Sequence, residues 1–355
     1  MSGAPEATVL VLGVGGSVSQ GILKALALSS LRCRVVAACV TPDAMALQLA
    51  DRAYVSPLAD DPAFLDWLSD VCRREGVQGV LSGSEHVLAV LSRHAAEIRE
   101  RSGAVCLVSS PEVLEVGADK LGTARWLQSR GLAFPRSAAA DDEQAWRTLA
   151  EECGLPLVVK PRRGKGSAGV RLVAHAGELD ALAGRQDLVV QEHVGDDTVE
   201  YTAGCLCDAA GELRGTVVLQ RTLHSGTTAS ARAGVFPEVR AEAERIAAAL
   251  RPVGPLNVQL RLDGERAVAF ELNVRFSGTT PIRARLGFNE VGAAVRHLVL
   301  GEPMPALPMV TRGAALRYWN ELYVAPEAID ELARTGSLED PGRGHPAIED
   351  WGTQP

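Results

Sequence analysis

Residues 267–281 read AVAFELNVRFSGTTP, in which Glu271, Asn273 and Arg275 alternate with Leu272 and Val274. Successive side chains on a β-strand point to opposite faces. A strand here turns Phe270, Leu272 and Val274 toward a core and lines its other face with a carboxylate, an amide and a guanidinium. A small, flexible run, Ser277-Gly278-Thr279-Thr280, follows at once. Magnesium prefers hard oxygen donors, usually one or two protein groups completed by substrate phosphates. Glu271 and Asn273 offer two such oxygens. Gln259, on the preceding strand across the Asp263-Gly264 hairpin turn, offers a third. Arg275 is placed one step along to stabilise charge on a transferring phosphoryl group.

A second signal is the choice of cation. Lysine and arginine together number 36, yet only Lys24, Lys120, Lys160 and Lys165 are lysines. A compact ammonium suits phosphate, whereas arginine is a planar fork. Lys160 ends the run Leu157-Val158-Val159 and precedes Pro161, at the mouth of a hairpin whose loop carries Gly164, Gly166 and Gly169. Glycines let backbone N–H groups approach an anion. The loop is not a P-loop, because Gly-Lys is followed by Gly166 rather than Ser or Thr opening a helix.

The whole chain bounds the class. Its 355 residues exceed one average domain. A formal charge of −8 gives no basic footprint for nucleic acid. No apolar stretch reaches the roughly 20 residues of a membrane span, and MSGAPEATVLVLG lacks a basic leader. The seven cysteines (33, 39, 72, 106, 153, 205, 207) show no metal-ligand spacing and fit a reducing cytoplasm. Cys205-Leu-Cys207 reads as two small core residues rather than a ligand pair.

The first third alternates strand-like and helical segments (ATVLVLGV, SVSQGILKALALS, RVVAACV, PAFLDWLSDVCRREG, GVQGVLSG, VLAVLSRHAAEIRERSG, AVCLVSS). That order predicts a parallel, doubly wound sheet. Its glycine turn, residues 13–16, resembles a dinucleotide fingerprint, but Val18 stands where the third glycine belongs and no acid closes the second strand. A turn that packs helix on strand explains it better than a nicotinamide site. Beyond residue 119 the pattern predicts a helix over 119–131, another over 141–154, the hairpin of Lys160, a strand at LVVQEHV and antiparallel strands over 195–208 and 211–226. An amphipathic helix over 237–254, the two strands of the opening motif, a helix over 290–303 and a last strand at GAALRYWNELYV complete it. The Gly- and Pro-rich tail beyond 335 reads as loop.

The order Lys120, VVKPRRGKGSAGV, VVQEHV, Glu200, NVQL, FELNVRFSG resembles the ATP-grasp superfamily of carboxylate–amine ligases over residues 8–302. The closest flavour is the group that includes carbamoyl-phosphate synthase and the pyrrolysine-pathway ligase. The resemblance implies an α/β fold, α+β in its catalytic part. A Rossmann-like pre-ATP-grasp domain (1–118) would precede a lid subdomain (119–190), a central catalytic domain (191–325) and a C-terminal tail (326–355). It implies ATP and one or two Mg²⁺, with Mn²⁺ as a substitute. Lys120 and Lys160 match the phosphate-contacting lysines, and Gly164, Gly166, Ser167 and Gly169 the closing loop. Gln191, Glu192 and Val194 match the hinge whose backbone reads adenine, and Glu200 the acid on the ribose. Gln259, Glu271 and Asn273 match the metal ligands, and Arg275 the arginine that holds the acyl phosphate. Two departures stand out: Val274 replaces the proline of Asn-Pro-Arg, and Gln259 replaces an acid at the first metal position.

The implied reaction activates a carboxylate as an acyl phosphate and joins it to an amine, with amino acids the expected substrates. Attack by ammonia or a carbamoyl-type nucleophile is the alternative. Arg221 and Arg232 are candidate clamps for a substrate carboxylate or members of a solvated loop; His224 is a base or a polar loop residue. Ser277, Gly278 and Thr279 are candidates to line the acceptor pocket. A nicotinamide-dependent oxidoreductase and a catalytically inactive binding protein are the readings from other classes. The expected partners are small molecules, with no nucleic acid or membrane. Such ligases usually dimerise through the leading domain.

Overall fold

The computed structural model describes residues 5–164, 168–182, 184–318 and 321–341. The chain divides into two compact units, one of residues 1–111, 275–308 and 317–355 and one of residues 112–274 and 309–316.

The first unit opens as strands alternating with helices: β1 (Ala7–Leu12), α1 (Ser17–Ala27), β2 (Cys33–Cys39), β3 (Arg52–Val55), α2 (Phe64–Glu75), β4 (Gly79–Ser82), α3 (Glu85–Ser102) and β5 (Val105–Cys106). β1 to β5 pair in parallel in the order β3-β2-β1-β4-β5. Leu10, Leu12, Val36, Val80, Phe64, Leu68 and Leu91 form the core between sheet and helices. The glycine turn after β1 has a packing role. Gly13 takes a left-handed φ of 69°, and Val18 lies so close to Gly83 that a β-carbon there would stand 2.5 Å from its Cγ1. Ser19 ties the same corner, its hydroxyl donating to the Leu12 carbonyl and accepting from the Gly83 N–H.

The second unit contains α4 (Pro111–Ala118), α5 (Lys120–Ser129), β6 (Ser137–Ala139), α6 (Glu143–Cys153), β7 (Leu157–Pro161), β8 (Arg171–Val173), α7 (Ala176–Asp180), β9 (Leu188–Glu192), β10 (Glu200–Cys207), β11 (Leu213–His224), β12 (Thr227–Ala233), α8 (Pro237–Leu250), β13 (Gly254–Asp263) and β14 (Arg266–Asn273). A four-stranded antiparallel sheet, β6-β9-β7-β8, carries α6 through Trp146 and Leu149. A six-stranded sheet runs β14-β13-β10-β11-β12 and then β15 (Gly313–Leu316). The amphipathic α8 covers it with Val239, Ala243, Ile246 and Ala247, packed among Cys205, Cys207, Leu256 and Val258. The two β10 cysteines are thus core residues, as their spacing predicts.

Several segments depart from expectation. Residues 275–308, assigned by sequence to the central domain, group with the first unit, because α9 (Thr280–Arg285) and α10 (Glu290–Ala294) pack on α1. The Asn289 amide donates to the Ala25 carbonyl at 2.7 Å, and a β-carbon on Gly21 would stand 2.9 Å from Pro281. The lid and central segments, separated by sequence at 190, share one unit with α4, so the first boundary falls near 111 rather than 118. The tail is not all loop: α11 (Pro326–Thr335) leads into β16 (Ser337–Glu339), which pairs antiparallel with β3. β15 is shorter than the expected strand, ending at Leu316.

Candidate active site

β13 and β14 bring the opening motif's oxygens together. Gln259 lies opposite Glu271 across the hairpin. The Glu271 Oε1 accepts from the Gln259 amide at 3.2 Å and from the Asn273 amide at 3.0 Å. Turning either amide about its last torsion presents an oxygen in place of the nitrogen. The set then offers one carboxylate and two amide oxygens, hard donors of low charge. Such a set fits a magnesium ion whose remaining ligands are phosphate oxygens and water. Among the described residues no cluster of three His, Cys, Asp or Glu side chains could hold a metal by itself.

The strand does not run as its spacing predicts. The register shifts between Gln259 and Leu260, so Gln259 pairs with Glu271 and Leu260 with Ala269, leaving Phe270 as the extra residue of a β-bulge. Ala267 and Ala269 face the core before the bulge, and Leu272 and Val274 after it. Phe270, expected in that core, instead lines a cavity beside Glu271. β14 also ends at Asn273, so Arg275 is not a third member of its polar face. The Arg275 guanidinium pairs with Glu85 at 2.7 Å and donates to the Phe276 carbonyl at 3.0 Å, within the first unit.

The cavity, of about 200 Å³, draws its walls from every sheet element of the second unit that the motifs named. Lys160, at the end of β7, is buried; its Nζ is 3.4 Å from the Phe270 carbonyl oxygen and 5.5 Å from the ring centroid. Burial pushes this ammonium down to about 8, with nearby Lys120 adding to the shift and Glu271 opposing it. Lys120 opens α5 and donates to the Gly164 carbonyl at 2.9 Å. Its neighbour Asp119 caps the helix and takes an ion pair from Arg162, holding its carboxyl below the usual range against the effect of burial. Gly166 and Ser167 lie outside the described residues, and Gly169 takes a φ of 73° at the other end of the loop.

On another side, Gln191, Glu192 and Val194 line the cavity. The Glu192 carboxylate turns to Arg136, which donates from its backbone N–H at 3.0 Å and from its guanidinium, and the Gln191 amide donates to Ser137. His193 pairs with Asp197. Glu200 lies across from Arg221 and forms a buried ion pair with it. Arg221 is therefore a strand residue, not part of a solvated loop. His224 is exposed at the end of β11, before a turn in which Ser225 and Gly226 take φ of 48° and 71°, and Arg232 is exposed on β12. Ser277 and Thr279 are buried and share a hydrogen bond of 2.9 Å between their hydroxyls, while the Gly278 carbonyl accepts from Arg317.

Sequence reading missed part of the wall. Arg261 follows Gln259 by two on β13, pairs with Asp197 at 2.7 Å and stands over Phe270. The two-residue rule applied to Glu271 would have found it from Gln259. Val170 and Leu172 remain half exposed although apolar, and both face the cavity with Val158 and Leu223. They offer flat, greasy walls next to a strand edge, which suits an aromatic base.

Residues 9–106 match the family described as PylC-like, N-terminal domain, and residues 184–322 the family described as ATP-grasp in the biosynthetic pathway with Ter operon. The carbamoyl phosphate synthase large chain of Pseudomonas putida is 26% identical over 73% of this chain, and that of Mycobacterium sp. (strain JLS) 26% over 86%. The chain spans 25% and 30% of the lengths of those relatives. N5-carboxyaminoimidazole ribonucleotide synthetase from Thermus thermophilus superposes with a TM-score of 0.70 at 21% identity, over 92% of this chain and 97% of its own. L-amino acid ligase from Bacillus licheniformis does so with a TM-score of 0.62 at 18% identity, over 84% and 75%. Residues 184–322 thus match an ATP-grasp family, and the chain shares its fold with these solved structures.

Proposed function

We propose that this protein is an ATP-dependent ligase that activates a carboxylate as an acyl phosphate and joins it to an amine, releasing ADP and phosphate. The observation that carries the reading is one cavity in which Lys120, Lys160, Glu200, Gln259 and Glu271 converge from separate elements. Two ammonium groups suit a polyphosphate, and apolar Val170 and Leu172 suit a base. The Gln259–Glu271–Asn273 set would hold Mg²⁺, which neutralises phosphate charge when bound.

The residues supply positioning and electrostatics. A carboxylate is a poor electrophile; transfer of the γ-phosphoryl group to its oxygen makes ADP the leaving group and the acyl carbon reactive. The amine then attacks that carbon, phosphate departs, and the amine gives up one proton. Lys160 and Lys120 stabilise phosphate charge. Amino acids are the first substrates to test, because an L-amino acid ligase shares the fold. Identity to carbamoyl phosphate synthase favours ammonia or a carbamoyl-type nucleophile as the second choice of amine.

The test is phosphate release from Mg·ATP with amino acids offered singly and in pairs, ammonia included, with mass spectrometry of each active mixture. Release that requires an acid and an amine, yields their condensation product and is lost in Glu271→Ala supports the reading. Equal release by wild type and Glu271→Ala contradicts it.

A further inference from the structure

We propose that Arg221 is a positioning residue that presents one oxygen of Glu200 to the ribose of the nucleotide, an inference that rests on reading the cavity as an ATP site. Glu200 begins β10 and Arg221 stands opposite it in register on β11. The Arg221 Nε donates to the Glu200 Oε1 at 2.9 Å, and Nη2 donates to the same oxygen. The remaining arm, Nη1, donates to the Thr228 hydroxyl at 3.3 Å. The two charged side chains are 10% and 9% exposed.

An arginine fork usually grips both oxygens of a carboxylate. Here both near donors converge on Oε1, and among the described residues Oε2 has no hydrogen-bond partner although Glu200 lines the cavity. A one-oxygen grip fixes the carboxylate and leaves its second oxygen free to accept from the hydroxyls of a vicinal diol. Arg221 has little left for another ligand, since its three arms are engaged by Glu200 and Thr228. That is why the structure favours this role over a clamp on a substrate carboxylate. Thr228, itself buried, holds the guanidinium from behind.

Calorimetry with Mg·ATP and Mg·2′,3′-dideoxy-ATP tests the inference on the full chain. A hydrogen bond to a charged acceptor corresponds to about 10–100-fold in affinity, so wild type is expected to prefer ATP by about tenfold or more. Arg221→Ala is expected to bind both nucleotides alike, within about twofold, by losing affinity for ATP and not for the dideoxy analogue. Arg221→Lys, which keeps a cation across the strands, restores part of the preference. Thr228→Val leaves the ion pair intact and gives an intermediate ratio, so it reports even if Arg221→Ala folds poorly. A variant that weakens both nucleotides equally, or keeps the wild-type ratio, overturns the assignment. Wild type that binds ATP without any preference overturns it too, with the cavity's reading intact. Wild type that binds neither nucleotide overturns the reading of the cavity and this inference with it.

Discussion

The Lys160 ammonium sits against the strand that carries Glu271 and Asn273, 3.4 Å from the Phe270 carbonyl oxygen and over its ring. The β-bulge at Phe270 creates that contact, because it turns the residue out of the core and into the cavity. A buried lysine poised near neutrality is thereby placed where phosphate charge is expected.

Proton uptake should accompany nucleotide binding. Lys160 is pushed down to about 8, below the roughly 10.4 of an unfolded lysine. The unfolded chain therefore binds more protons between those values, and stability rises with pH across that window. A bound triphosphate favours the charged form, so affinity should fall above pH 8, by up to about tenfold per unit. Calorimetry at pH 8.5 in two buffers of different ionisation enthalpy should show the uptake in wild type and lose it in Lys160→Met.

Gln259→Glu tests the metal set by charge. A second carboxylate beside Glu271 repels it without metal and should lower the unfolding midpoint in EDTA by about 2–4 °C. Millimolar Mg²⁺ should restore the midpoint in the variant and move wild type much less. An identical response to Mg²⁺ in both proteins would count against these ligands.

Gly195 follows the cavity residue Val194 with a φ of 67°, and a β-carbon there would stand 2.5 Å from the Leu262 carbonyl oxygen. Gly195→Ala should cost about 1–3 kcal/mol in denaturant unfolding. It should also weaken nucleotide binding, because the cavity wall at Val194 must shift to relieve the clash.

In the first unit, Arg283 and Glu290 form an ion pair that is 1% and 0% exposed, and Glu290 also accepts from Thr280 at 2.5 Å. Glu290→Ala removes the carboxylate that pairs with this buried guanidinium and should cost about 3–5 kcal/mol. Thr280 in turn accepts from the Ser277 N–H, so the loop after Arg275 should loosen, read as faster amide exchange at Ser277.

Much of this was legible in the sequence because it is periodic. The alternation of the first third, the Lys160 hairpin and α8 follow from spacing alone. What escaped depends on partners distant in the chain. The bulge at Phe270 arises from pairing with β13, which a local two-residue rule cannot register. β16 has three residues and exists through its ladder to β3, so a Gly- and Pro-rich tail concealed it. β12, TTASARA, reads as loop because small and polar residues dominate it, and its neighbours β11 and β15 make it a strand. Arg221 announced a cation but not the carboxylate that takes it, which lies on the adjacent strand.

The central claim is that the cavity of Lys120, Lys160 and Glu271 binds Mg·ATP. Its most direct test is thermal unfolding of wild type and Lys160→Met with Mg·ATP, Mg²⁺ alone or NAD. Ligand at 100 times its Kd adds about 2.7 kcal/mol, so wild type should shift upward with Mg·ATP and not with NAD, and Lys160→Met should shift far less. A shift with NAD alone, or an equal shift of wild type and Lys160→Met with Mg·ATP, would contradict the account.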